Sequence, residues 1–168
     1  ILDLERKGFP FVDANKFNII PIENANAFTR ELNKVLKEDN CKTVVVESFT
    51  KYVEQVHTLA NASFKGYDIW SFYNRTIRAT LDAVKNDKAT VIFTAVDDIV
   101  KIPQVTGGET SHRRIKVQGK VHEGAIEKEF LMVLFTETRK NEKTEKMEYF
   151  FQTNTDGVTS AKTQMGMF

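Results

Sequence analysis

The sequence predicts an α/β fold, a mainly parallel sheet flanked by helices, with a β-rich C-terminal part. Three observations lead there. The runs Thr43-Val44-Val45-Val46 and Thr90-Val91-Ile92-Phe93-Thr94 are continuously apolar and β-branched, as in strands covered on both faces. Stretches of helical period lie before and between them. Beyond residue 100 that period stops, and Phe130–Phe135 and Tyr149–Phe151 read as strands around a charged hairpin tip at 139–148.

The elements follow in order. Residues 1–4 form a short apolar strand that ends at Glu5-Arg6-Lys7-Gly8. The chain opens on this stretch without a Met, so the expectation is a strand entered partway through the domain of a longer chain. Phe17–Ile22 suits a second short strand, and Pro21 confines it to an edge or an end. Phe28, Leu32, Val35 and Leu36 place a helix over 26–38, broken at Asn40. Val53, Val56 and Leu59 place another over 50–64. Asp68 or Ser71 is positioned to cap a third helix, which carries Trp70, Tyr73, Ile77, Leu81 and Val84. Residues 100–125 are polar, hold Gly107, Gly108, Gly119 and Gly124, and read as a mobile loop.

The 168 residues suit one domain spanning 1–168, and the net charge is +1. That balance excludes a global polycation. Cys41 is the only cysteine, which excludes an internal disulfide and a cysteine-based zinc cluster and fits a reducing cytoplasm. No apolar run approaches the roughly 18 residues of a membrane span. His112 reads as a surface histidine, since no His or Cys sits at metal spacing from it, and His57 and His122 are equally isolated.

Four groups could carry chemistry. Val46-Glu47-Ser48 ends a buried strand in an acid and a hydroxyl, and ligands of open α/β sheets bind beyond such strand ends. Glu47 there could hold Mg²⁺ through its water shell, since Mg²⁺ is hard and takes oxygen ligands. Equally, Ser48 is a helix N-cap and Glu47 a loop acid. Glu5 ends the first strand and could orient or deprotonate a water, or simply flank Arg6 and Lys7. Lys101, Arg113, Arg114, Lys116 and Lys120 face one acid, Glu109, within 101–120; a basic, glycine-containing loop suits a phosphate backbone. It holds no aromatic residue, so base stacking would come from elsewhere. Lys162, near the end of the chain, could reach a phosphate as a point charge. The phosphate-cradling motif Gly-x-x-x-x-Gly-Lys-[Ser/Thr] does not occur in these residues.

Taken together, the segments resemble the RecA-type core ATPases, and more narrowly the phage-encoded RecA-like proteins that assist single-strand annealing. Ile1-Leu2-Asp3-Leu4-Glu5-Arg6 resembles the strand that ends in the catalytic glutamate. Val44-Val45-Val46-Glu47-Ser48 resembles the Walker B strand, with Glu in place of the usual Asp. Val91-Ile92-Phe93-Thr94-Ala95 resembles the strand whose end carries a γ-phosphate sensor. Val117-Gln118-Gly119-Lys120, Glu127-Lys128-Glu129-Phe130 and the stretch from Ala161 to Phe168 resemble the phage proteins in particular.

The resemblance implies a RecA-like core whose first strand, P-loop and first helix lie upstream of Ile1. It implies ATP and Mg²⁺ as cofactors, with Glu5 activating water, Glu47 and Ser48 at the metal and nucleotide, and Thr94 sensing the γ-phosphate. Lys162 would reach the nucleotide of a neighbouring subunit. Lys101, Arg113, Arg114, Lys116 and Lys120 would contact single-stranded DNA. The implied partners are single-stranded DNA, further copies of the chain in a filament or ring, and a phage annealing or single-strand-binding protein, in the host cytoplasm. The alternative is a RecA-like module that binds DNA or a protein without hydrolysis.

Overall fold

The computed structural model describes residues 1–168 apart from Val12, Asn86, Asp87, Thr106, Glu123, Gly124, Met165, Met167 and Phe168. Gly124, the last residues of the Ala161–Phe168 stretch and the Lys120 side chain therefore lie outside the description. The chain divides into two compact units, Ile1–Val96 with Lys116–His122, and Asp97–Ile115 with Glu123–Phe168.

The first unit is α/β. Its strands are β1 (Leu2–Asp3), β2 (Ile20–Pro21), β3 (Thr43–Glu47) and β4 (Thr90–Phe93), and its helices are α1 (Ala25–Val35), α2 (Phe49–Ser63) and α3 (Tyr67–Ala83). The four strands form one parallel sheet in the order β2-β1-β3-β4. Pro21 lacks an N–H, and β2 accordingly lies at an edge. Asn24 starts α1 by accepting the Ala27 N–H at 2.9 Å. The apolar stripe of α1 (Phe28, Leu32, Val35) is buried, as are Tyr52, Val53 and Val56 of α2 and Tyr73, Ile77 and Leu81 of α3. These faces meet in an aromatic core. The Phe28 ring lies 4.3 Å from that of Tyr52, and Phe49 meets Phe93 edge-on at 5.1 Å. The Tyr52 and Thr80 hydroxyls hydrogen-bond at 2.6 Å, so neither polar group is buried unpaired.

Three expectations for this unit change. In β3, Val44 and Val46 are buried while Val45 is half-buried, so one face is tightly covered and the other loosely. β4 is an edge strand with Ile92 47% exposed; a continuous apolar run does not reveal how many faces a sheet covers. Helix α3 starts before Asp68 and Ser71. Gly66 occupies the cap position at φ 58°, a left-handed conformation that favours glycine. Asp68 instead sits in the first turn, where its charge favours the helix dipole.

The second unit is two antiparallel hairpins, β5 (Asp97–Pro103) with β6 (Glu109–Ile115), and β7 (Phe135–Lys140) with β8 (Met147–Gln152). The polar loop expected over 100–125 is therefore largely a hairpin. Gly107 and Gly108 at φ 85° and 94° give the turn two left-handed positions, and the β-branched Ile102 and Thr110 pair across the strands behind it. The strand expected at Phe130–Phe135 begins at its last residue. The hairpin tip sets this register: the Asn141 side chain accepts the Lys143 and Thr144 N–H groups at 2.9 and 3.1 Å, closing the turn beyond Lys140.

Phe28→Ala should cost about 3–5 kcal/mol of stability, measured by urea unfolding. A loss below about 1 kcal/mol would show that the ring does not hold the core.

Candidate functional site

The parallel sheet ends in a cluster of oxygen-bearing side chains. Asp3 pairs with Glu47, and Val46 with Phe93, so Glu5, Glu47, Ser48 and Thr94 all emerge at the carboxyl edge of neighbouring strands. This is the edge at which open α/β sheets bind ligands. Backbone bonds fix the three strand ends to one another. The Glu47 carbonyl accepts the Leu4 N–H at 2.6 Å and the Glu5 N–H at 3.3 Å, the Val46 carbonyl accepts the Thr94 N–H at 3.1 Å, and the Thr94 carbonyl accepts the Phe49 N–H at 2.8 Å.

Each carboxylate is held by one hydroxyl. Ser48 Oγ donates to Glu5 Oε1 at 2.8 Å. Thr94 Oγ1 donates to Glu47 Oε2 and also lies 3.2 Å from the Val46 carbonyl. Ser48 Oγ simultaneously accepts the Lys51 N–H at 3.2 Å and so caps α2. The helix-cap reading of Ser48 holds, and the same buried side chain also reaches Glu5. The Glu47–Ser48 peptide is cis.

The Ser48 hydrogen bond, with help from Lys7 at 3.1 Å and the charge of Lys51, holds the Glu5 carboxyl below its usual range against the opposing effect of burial. Glu5 is thus a carboxylate at neutral pH. The stability this contributes is present above the ordinary glutamate value and is lost as pH falls through it toward the lowered value.

A family model described as an AAA domain matches residues 1–165. The chain belongs to this family. Neither the curated proteins nor the solved structures returned a match. The AAA domain brings a nucleotide-binding, ATPase-like function of the P-loop kind, for which Mg²⁺ is the usual metal. The residues at the sheet edge fit that ion: two carboxylates and two hydroxyls are hard oxygen donors. Among the described residues no three His, Cys, Asp or Glu side chains group to hold a metal by themselves. An ion here would complete its shell with water and phosphate, as Mg²⁺ does at nucleotide sites.

The remaining predicted residues belong to other elements. Lys162 belongs to the second unit, where its Nζ donates to the Lys128 carbonyl at 3.3 Å. Lys101 and Arg113 lie on β5 and β6 of that unit, on one face of the hairpin; Arg114 lies on the other. Lys116 and Lys120 return to the first unit. The five cations are therefore not one loop.

Their charge is also partly answered. Arg113 Nε donates to Asp97 Oδ2 at 2.7 Å and its guanidinium lies 5.3 Å from the Phe135 ring. Lys101 pairs with Glu109 at 3.2 Å, and Arg114 stands opposite Asp98 in the register. Counting from 97 rather than 101 adds two acids, so hairpin 97–115 holds three cations and three anions. The Val-Asp-Asp-Ile-Val pattern before the glycines is the signal that would have extended the strand and included those acids. His122, isolated in the sequence, is buried at 4% exposure. Among the described residues no helix is long and apolar enough to cross a membrane.

Ser48→Ala removes the cap of α2 and the donor to Glu5 together. The expected loss is about 1 kcal/mol of stability, with the Glu5 carboxyl returning toward its ordinary value in an NMR titration. An unmoved Glu5 would remove Ser48 from the site.

Proposed function

We propose that this AAA domain supplies the hydrolytic side of a RecA-like recombination ATPase that acts on single-stranded DNA. The observation that carries the reading is the placement of Glu5 and Glu47 at one sheet edge, each oriented by its own hydroxyl. Glu5, ionised and aimed by Ser48, orients the attacking water and takes its proton. Glu47 faces the cation shell, with Thr94 fixing the rotamer of its carboxylate. Mg²⁺, when bound, would neutralise charge on the terminal phosphates. In this reading Thr94 senses phosphate through Glu47, since its hydroxyl is already given to that carboxylate. Lys162 serves a neighbouring copy in a filament or ring, and a phage annealing or single-strand-binding protein is the fitting partner.

Binding without hydrolysis is the second reading, and one observation favours it. Both carboxylates are already satisfied from within the protein, Glu5 by Ser48 and Lys7 and Glu47 by Thr94. Glu5→Gln in the full-length protein separates the two. Hydrolysis should fall by at least about 100-fold while nucleotide binding is kept. Hydrolysis that persists unchanged would sink the role of Glu5, and a wild type that binds ATP without turning it over would select the second reading. Because Glu5 is held below its ordinary value, the pH profile of hydrolysis should show no acidic limb from it above about pH 5.

In the DNA part of the reading Lys101 and Arg113 are committed to Glu109 and Asp97, the Lys120 side chain lies outside the described residues, and Arg114 and Lys116 are the cations to test. Replacing Arg114 and Lys116 with Ala should weaken binding to an oligothymidylate. The slope of log affinity against log salt should fall by about 0.7 for each phosphate that the variant no longer neutralises. An unchanged slope would take these residues out of the DNA site.

A further inference from the structure

Segment Lys116–His122 leaves β6 and packs on the first unit. It is pinned at three levels. The Lys116 N–H donates to the Val96 carbonyl at 2.9 Å. The Gln118 N–H donates to Tyr73 Oη at 3.2 Å. Gly119, at φ +77°, lies so close to the Trp70 ring that a Cβ there would sit 2.7 Å from Cζ3. The segment ends at His122, whose ring lies 5.7 Å from that of Tyr73. The other side of this box is His57, at 5.1 Å from Trp70 and 5.8 Å from Tyr73.

We propose that Lys116–His122 is a pH-sensitive strap, locked onto α3 while His122 is neutral and released when His122 takes a proton. The imidazole is buried, and its Nε2 has no hydrogen-bond partner among the described residues. A neutral ring tolerates that position; an imidazolium would be a buried charge with no counter-ion among the described residues. Among the described residues, the titratable and charged groups facing it are Tyr73 and Arg78 from α3 and, beyond the Tyr73 ring, His57 from α2. None of these is an acid. Burial pushes the Tyr73 hydroxyl up to about 12, so it stays protonated and accepts from Gln118 throughout.

The sign follows. Burial first, and the Arg78 charge second, lower the His122 value from 6.5. The lock is complete above that value and weakens as pH falls through it toward the lowered one. The strap carries Lys116, so its release would change how that cation is presented.

Trp70 is the only tryptophan, and one part of its 37% exposed ring packs against Gly119 of the strap, so intrinsic fluorescence of the 168-residue chain responds to the lock. Between about pH 8 and pH 5 its emission should shift to the red with a midpoint below 6.5, while far-UV circular dichroism stays constant. His122→Phe should remove the transition. His57→Gln should retain it, which separates strap release from direct quenching of Trp70 by a charged His57. Gly119→Ala should be red-shifted already at about pH 8. The proposal is overturned if wild-type emission does not move, if His122→Phe titrates like the wild type, or if His57→Gln abolishes the shift. Amide exchange of Gln118 in the wild type needs no variant. Corrected for intrinsic rate, its protection should drop at least about 10-fold from roughly pH 7.5 to 5.5 while β3 stays protected. Equal protection at both values would overturn the strap as well.

Discussion

The carboxyl end of β3 is the point from which the first unit takes its order. Two successive carbonyls there, of Val46 and Glu47, accept amides from β4 and β1. They tie three strands at the level where their side chains turn outward. A parallel sheet gains its ligand site from this geometry, because every strand end faces the same way. The staples hold the backbone from which Glu5, Glu47 and Thr94 project. The hydroxyls of Ser48 and Thr94 then fix the carboxylates. Preorganisation of this kind matters because a positioned acid or base loses effect with small misplacement.

Ser48 shows how tightly local and tertiary roles are joined here. Its Oγ accepts from the first turn of α2 and donates to Glu5, 43 residues away. Helix start and site geometry therefore cannot vary independently. Behind it, the buried Phe49 and Tyr52 anchor the same first turns of α2 against Phe93 and Phe28. The site is carried by regular elements on a packed aromatic core, and such elements hold geometry more closely than loops do.

The second unit makes a different point about charge. Five cations within residues 101–120 look like a polycationic loop when read as a line. Folded into β5 and β6, most of that stretch alternates sides, and antiparallel pairing brings Asp97 and Asp98 alongside the arginines. A strand period of two sends Arg113 and Arg114 to opposite faces. Pairing then commits Arg113 to Asp97. Local charge counts describe a composition, whereas an electrostatic surface depends on which neighbours the pairing supplies.

The class of fold, the order of β3, α2, α3 and β4, and the strand-end position of Glu5, Glu47 and Thr94 are all legible along the chain. Periodicity and β-branched runs carry that information locally. Their convergence is not legible there, because the parallel pairing of β1, β3 and β4 joins segments distant in the chain, and that pairing exists only in the folded sheet. The edge position of β4 belongs to the fold as well, since nothing within Thr90–Phe93 states which neighbours a sheet provides. Tertiary pairing turned an expected loop into a hairpin through two left-handed glycines. It also buried His122 against Tyr73, because burial is a property of what packs around a residue and not of the residue itself.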